Sequence, residues 1–459
     1  MNESLTLAKY VVETGYEDLP DRAREMAKMS FLDALGVTLA ASSLGKGCKA
    51  FVDIAKQGEG KEESTILGFH GKVPAPMAAF ANGSMAHALD FEDAHDQALV
   101  HPNAVAVPAA LALAEAIGDV NGKGFITALA VGCDLVCRLG LAFKENPAEY
   151  GWYIPPILGA FGATSAAGRL LGLNETEMLD AFSLTLCQAT CSAELRYSPE
   201  SDIRAVRDGF VAKAALLSAL LAKKGIRGFD HPFEGKAGLF SLYSKGHYDA
   251  DILMKDLGKT FEGANVSFKP WPTCRGTHTF IEAAFNLLDE YHVLPEDIMD
   301  IRVVVSSFNQ MLCEPVEVKR SPQAIIDAKF SIPFVLATAL VYRNVTLDHF
   351  TPESLKDEKV LNLARKVRYE LNPHLGLREA TRAFLEIKTR DNQTYSKQID
   401  QAYGHPDHPI SKEALVDKFM DCAAKAVKKI PEKRLKKVSE CILGLEALKD
   451  IREVVNYLS

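Results

Sequence analysis

A mainly α fold, in which a large all-helical domain carries an inserted α+β domain, is predicted by three features of this 459-residue sequence. Apolar residues recur at three- and four-residue spacing almost without interruption up to about residue 260, as amphipathic helices require. After residue 264 the pattern changes to prolines and short β-branched runs, and from residue 411 the helical spacing returns. The chain also exceeds the size at which one hydrophobic core stops growing. The helical tail is therefore expected to rejoin the first domain. That gives a helical domain of residues 1–265 and 402–459 and an α+β domain of residues 266–401.

In chain order, helices are expected over residues 5–14, 22–44, 105–117, 125–139, 159–171, 175–192 and 208–224. Many of their faces are Ala, Gly, Ser and Cys, as in FGATSAAGRLLG, and small side chains let helices approach closely. Gly172 and Gly225 follow apolar runs, where left-handed helix ends favour glycine. Residues 63–69, ESTILGF, read as a short strand leading into a turn at HGKVP. In the inserted block, helices are expected at 277–291 and 334–341, with strands at 300–307, 367–371 and 384–389. The last strand runs into a turn at 390–392, and GHPDHP forms a loop after the block. The basic stretch AAKAVKKIPEKRLKKVSE reads as a solvated helical face rather than a binding patch.

A formal net charge of −8 argues against a nucleic-acid partner, which needs a basic footprint. It leaves room for a small anionic substrate held in a local basic pocket. Nine cysteines without a CxxC pair suggest reduced thiols in a cytoplasmic protein rather than a disulfide framework. The first twenty residues are acidic and lack an apolar signal core. No uninterrupted apolar run of about 18 residues is present, so no membrane partner is expected.

The chemistry is expected first in residues 82–101, NGSMAHALDFEDAHDQALVH, with three histidines and the acidic residues Asp90, Glu92, Asp93 and Asp96. Buried carboxylates are rare unless paired, and imidazoles exchange protons near neutrality. His87, Asp90 and Asp93 lie three apart, so a helix through them would put them on one face. His101 precedes Pro102 and would stand at the start of the next helix. Capping and solvated carboxylates are the plainer alternative. A metal site is a third, but no HExxH-type signature supports it.

Three further segments join it. In FKPWPTCRGTH (residues 268–278), Lys269 and Arg275 stand by a helix N-terminus that could receive a carboxylate, with His278 in the first turn. The alternative is Thr277 as a helix cap beside an incidental histidine, and Cys274 reads as packing. In YGWYIPPILGAF (150–161), Tyr153 could donate a proton or hydrogen-bond a carboxylate, or be an interface aromatic. In SDIRAVRDG (201–209), Arg204 and Arg207 share a helical face, which suits carboxylate recognition; salt bridges to Asp202 or Asp208 are the alternative. No GxGxxG, GxxxxGK[ST], GxSxG or cysteine cluster is present, so no cofactor and no metal are expected.

Four stretches, ANGSMAHALDFEDAH, VHPNAVAVPAALALAEA, FKPWPTCRGTH and DAKFSIPFVLATAL, together resemble the MmgE/PrpD family. That family includes 2-methylcitrate dehydratase, cis-aconitate decarboxylase and iminodisuccinate epimerase. The resemblance implies a helical domain built from both chain ends, an inserted α+β lid domain, a homodimer, and a metal-free site for small polycarboxylates. Asp90 matches the motif aspartate, His101 the histidine of the HP motif, and His278 the histidine of the TH pair. Tyr153 stands where decarboxylase- and dehydratase-like members often have histidine. Arg204 stands where many have lysine, and Ala94 replaces a frequent threonine.

The resemblance implies proton transfer at a carbon next to a carboxylate, where the carbanion-like state needs positive charge or donors nearby. His101 and His278 are then expected as base and acid, Asp90 as the residue orienting a histidine, and Tyr153 as a donor. Arg204, Arg207, Lys269 and Arg275 are expected to bind substrate carboxylates. A dehydratase-type lyase is the first expectation, followed by an epimerase or isomerase, a decarboxylase, and a non-catalytic binding protein.

Overall fold

The structure, a computed structural model, describes residues 2–58, 60–198, 201–376 and 379–458. The chain forms a mainly helical unit of residues 1–266 and 411–459 and a second unit of residues 267–410. Residues 402–410, placed on sequence with the helical tail, belong to the second unit. Their backbone explains the change: Phe268 N–H donates to Gly404 O (3.0 Å), and Tyr403 N–H donates to the Glu282 carboxylate (2.7 Å). A loop without an apolar face is held by whichever groups satisfy its backbone.

In the helical unit, Asn103–Ile117 is buried from Asn103 to Glu115. A helix apolar on nearly every side belongs in the middle of a bundle. Around it stand Asp21–Leu44, Ala75–Ala86, Gly122–Ala142, Ile154–Leu170 and Asp208–Lys223. Among the described residues only Gly122–Ala142 is long and apolar enough to cross a membrane, and 89% of that window is buried inside the protein. Its two buried charges form a closed pair: Arg138 Nε donates to Asp134 at 2.7 Å, and the remaining guanidinium donors reach the Lys255 and Thr260 carbonyls.

The small residues noted in the sequence set the helix spacing. A Cβ on Gly209 would lie 2.5 Å from Phe80 O, and one on Gly83 would lie 2.9 Å from the Ala212 Cβ. Helices Ala75–Ala86 and Asp208–Lys223 therefore touch backbone to backbone, and this brings the start of the second helix against the end of the first. The expected strand near residue 64 is a two-residue ladder, β1 (Ser64–Thr65) with β2 (Lys72–Val73), antiparallel. The expected helix at 175–192 stops at Leu186.

Helix Lys412–Ala424, the first of the C-terminal segment, lies on Asp21–Leu44, with Phe419 against Gly36. From it, Lys418 Nζ pairs with Asp33 at 2.6 Å, donates to Phe91 O at 2.6 Å, and stands 3.8 Å from the Phe91 ring centroid. One ammonium thus neutralises a buried carboxylate and pins the segment after helix Ala75–Ala86. Further along, helix Glu432–Leu443 keeps its lysines exposed and paired along its own surface, as Lys436 is with Glu432 at 2.7 Å, which is the solvated face expected.

The second unit has a four-stranded sheet in the order β4-β3-β5-β6: β3 is Ile298–Val305, β4 is Val367–Leu371, β5 is Ala383–Thr389 and β6 is Thr394–Ile399. β3 is parallel to β4, and the other pairings are antiparallel. Alternation buries Ile301, Val303 and Val305 of β3 and Leu385 and Ile387 of β5 in one core with helices His278–Tyr291 and Ile332–Tyr342. On the other face Arg302 bridges Glu370 and Glu386 across three strands. Strand β6 had no counterpart in the sequence reading, because TYSKQI is polar and only its last residue is buried.

Lys418→Met should cost about 3–5 kcal/mol in denaturant unfolding, because it strands the Asp33 charge in the core. Adding Asp33→Asn to that variant should recover most of the loss, and a midpoint unchanged by Lys418→Met would disprove the clamp.

Candidate functional site

Helix Ala75–Ala86 ends before the acidic cluster, with His87 as its C-terminal cap residue. The expectation of one helix through His87, Asp90 and Asp93 is therefore corrected. Asp90 has φ of 52° and Leu99 of 56°, both in the left-handed region, which Asp enters more readily than most residues and which a continuing helix cannot contain. The segment instead folds as a coil, closed by a bridge in which His95 N–H donates to Val100 O at 2.9 Å. His101 and Pro102 then lead into helix Asn103–Ile117, as the sequence predicts.

The coil is not a solvated one. His87, Asp90, Glu92, Asp93, His95 and Asp96 are all buried, Glu92 with no exposed surface at all. Glu92 Oε1 lies 2.6 Å from His87 Nδ1 and 3.1 Å from His101 Nδ1. His101 Nδ1 is also 3.0 Å from the backbone oxygen of Asp93. The two imidazoles meet edge to face at 5.1 Å. On the far side of His87, Nε2 faces Asp90 Oδ1 at 3.6 Å, and Asp208 Oδ2 lies 3.8 Å from Nδ1. The Asp208 contact follows from the glycine-mediated approach of the two helices.

Asp93 is held differently. Its carboxylate accepts from Ser30 Oγ at 3.0 Å and from Asn103 Nδ2 at 2.5 Å. Burial pushes its carboxyl up to about 7, with the Asp33 and Glu92 charges adding to the rise and the two hydrogen bonds opposing it.

Beside this cluster, Arg204 Nη1 stands 3.8 Å from Asp90 Oδ2, and the buried Arg207 guanidinium lies 4.8 Å from the Tyr153 ring centroid. Arg207 donates to the Arg204 backbone oxygen and faces Asp208 at 3.8 Å, while its Nε and Nη2 have no hydrogen-bond partner among the described residues. Burial works against the Arg207 charge, but the Asp208 carboxylate and its neighbours outweigh it and hold the guanidinium above its ordinary range. Tyr153 is the residue before helix Ile154–Leu170, anchored through its N–H to Cys191 O at 2.9 Å. Asp90, Arg204, Arg207, Tyr153 and His101 thus belong to one constellation, joined through His87 and Glu92.

The other three predicted residues lie in the second unit. Lys269 and His278 are buried, and Arg275 is 8% exposed. Arg275 Nη1 donates to Tyr403 O at 2.8 Å and stands 3.4 Å from His278 Nδ1. His278 Nε2 faces Thr273 O at 3.4 Å, and Trp271 packs edge-on at 5.3 Å. Thr277 stands at the N-cap position, but its side chain makes no capping bond; its hydroxyl donates to Cys274 O instead. Arg275 is partly committed to its own loop, a use that the sequence did not reveal.

His87, Glu92 and His101 are also the one trio among the described residues whose donor atoms converge as metal ligands do. A separation of 2.6 Å between His87 Nδ1 and Glu92 Oε1 is a hydrogen-bond distance. Two ligands about 2.1 Å from a tetrahedral Zn²⁺ stand farther apart, so the trio is arranged as an acid–imidazole network. Glu92 is the residue that sequence reasoning undervalued. Its signal was the position two after Asp90, visible only once the segment is known to be coil rather than helix.

The helical unit with a buried acid–imidazole–guanidinium site defines a class, and comparison with known proteins gives it a name. The MmgE/PrpD N-terminal domain matches residues 5–250 and the MmgE/PrpD C-terminal domain matches residues 271–443. The chain belongs to the MmgE/PrpD family. It is similar to the cis-aconitate decarboxylase-like protein oryM of Aspergillus oryzae, with 26% identity covering 100% of this chain and 97% of that protein. Similarity to the human cis-aconitate decarboxylase is 26% over 98% of this chain and 92% of the relative. The 2-methylcitrate dehydratase of Salmonella typhimurium is 23% identical over 80% of this chain and 76% of its own length.

The raised carboxyl of Asp93 has a signed consequence. Between the unfolded value of about 4 and the folded value of about 7 the native state binds the extra proton. Stability from this group is therefore present at low pH and lost as pH rises towards 7, by up to about 1.4 kcal/mol per pH unit. Asp93→Asn should flatten that part of the stability–pH curve in denaturant titrations; an unaltered slope would refute the assignment.

Proposed function

We propose that this protein is an acid–base enzyme that transfers a proton at a carbon next to a carboxylate of a small di- or tricarboxylate. The observation that carries the reading is Arg207: a buried guanidinium with two donors lacking partners among the described residues, set beside an imidazole–carboxylate cluster. Buried donors of this kind are seldom left unused, and a planar fork fits a carboxylate. Arg204, 3.8 Å from Asp90, brings a second guanidinium to the cluster.

The chemistry follows from charge. A base removes the proton, and the electron pair left behind spreads into the adjacent carboxylate, where guanidinium groups stabilise it. His101 is the proposed base. In a dehydration the pair then forms the C=C bond as the neighbouring hydroxyl leaves with a proton from an acid, giving water. Tyr153, with its ring against Arg207, is the proposed donor in this unit, and His278 is a second candidate proton carrier. Lys269 and Arg275 are assigned to carboxylate binding by family resemblance. Dehydration is the first reading, because guanidinium groups hold a carboxylate rather than expel it. Decarboxylation is the second, favoured by the names of the relatives matched over nearly the whole chain. A homodimer, the further expectation from the family, is tested by light scattering on the purified protein.

The decisive experiment incubates the protein in D₂O with hydroxy-, amino- and unsaturated di- and tricarboxylates, following the substrate by NMR. Exchange at the carbon next to a carboxylate, with alkene appearing, supports the dehydratase. Inversion without alkene would make it an epimerase, and loss of carboxylate carbon a decarboxylase. Binding without exchange in every case would overturn the enzyme reading. His101→Ala should lower kcat/KM by about 10²–10⁴, and Arg207→Met should raise KM or lower kcat/KM by about tenfold or more.

A further inference from the structure

We infer that Glu92 is the positioning residue of this proton-transfer site, a single carboxylate that orders both His87 and His101 and leaves Nε2 of His101 as the working atom. The inference rests on the proposed acid–base function and deepens it, because it identifies which nitrogen takes the proton.

The argument is one of donors and acceptors. A neutral imidazole carries one N–H and one lone pair. His101 Nδ1 is 3.1 Å from Glu92 Oε1 and 3.0 Å from Asp93 O, and both of these are acceptors. The proton therefore sits on Nδ1, and the lone pair is on Nε2. His101 is 20% exposed at its side chain, whereas Glu92 and His87 are almost wholly buried, so of the two imidazoles only His101 reaches the surface. His87 Nδ1, 2.6 Å from the same oxygen, shares this carboxylate and fixes it from the other side. A carboxylate behind an imidazole also favours the imidazolium formed when Nε2 accepts a proton, as the aspartate of a hydrolase triad does. Asp90, the residue expected on sequence to orient a histidine, faces His87 and Arg204 at 3.6 and 3.8 Å.

The groups that set the field around His101 are Glu92, the Asp93 backbone and His87, with Asp90, Asp208 and Arg204 ranged behind His87. Of these, Glu92 is the charged group nearest Nδ1. Replacing it by a neutral acceptor should leave the ring in place but remove its support for the protonated form.

The test uses the full-length protein labelled with ¹⁵N in histidine. Long-range ¹H–¹⁵N spectra should show His101 and His87 as Nδ1–H tautomers, and Glu92→Leu should shift His87 towards mixed tautomers while His101 keeps the Asp93 backbone acceptor. Unchanged spectra would overturn the inference. The isosteric Glu92→Gln keeps the shape if the leucine variant fails to fold. Its acidic limb of kcat/KM should move to lower pH by about one unit, with KM changed less than threefold. A limb that stays in place while activity falls would mean a structural role only. Because the spectra need no substrate, absence of turnover would sink the proposed function without bearing on the tautomer result.

Discussion

Buried negative charge is the constraint on which the helical unit depends. Asp33, Asp90, Glu92, Asp93 and Asp208 are all nearly inaccessible, and an uncompensated carboxylate in such a place costs several kcal/mol. Each has its own compensation: Lys418 for Asp33, Arg204 and His87 for Asp90, two imidazoles for Glu92, Ser30 and Asn103 for Asp93, and Arg207 for Asp208. These partners come from five separate stretches of chain, including helix Lys412–Ala424. The cluster therefore exists only in the assembled unit.

Close helix packing makes that assembly possible. The contact of Gly209 with the Phe80 carbonyl and of Gly83 with Ala212 leaves no room for side chains between the two helices. Asp208, Arg207 and Arg204 consequently arrive at the end of helix Ala75–Ala86, where His87 begins the coil. Had either glycine been larger, the guanidinium and imidazole groups would stand farther apart. The small-residue composition of these helices is thus a positional device for the site as well as a packing one. Lys418 fixes the same coil from the opposite direction through Phe91 O.

The second unit applies the same physics on a smaller scale. His278 opens a helix whose apolar face covers the sheet, so its position is set by packing, while Arg275 and the carbonyls of residues 402 and 403 set its surroundings. Sequence spacing assigned that loop to the wrong unit because hydrogen bonds between backbone groups leave no periodic trace.

Periodicity alone determined much of this protein: the helical character of both ends, the inserted mixed block, and three of the four strands in its sheet. It also singled out residues 82–101, because so many acids and histidines in an apolar neighbourhood need explanation. Residue types alone could not tell a helical face from a buried coil, since i, i+3 spacing suits both, and left-handed backbone at Asp90 has no sequence signature. The placing of Glu92 against His101 and of Asp90 against His87, and the meeting of Arg207 with Tyr153, were decided by tertiary structure. Both depend on how closely separate helices approach, and that distance is set by side chains far apart in the chain.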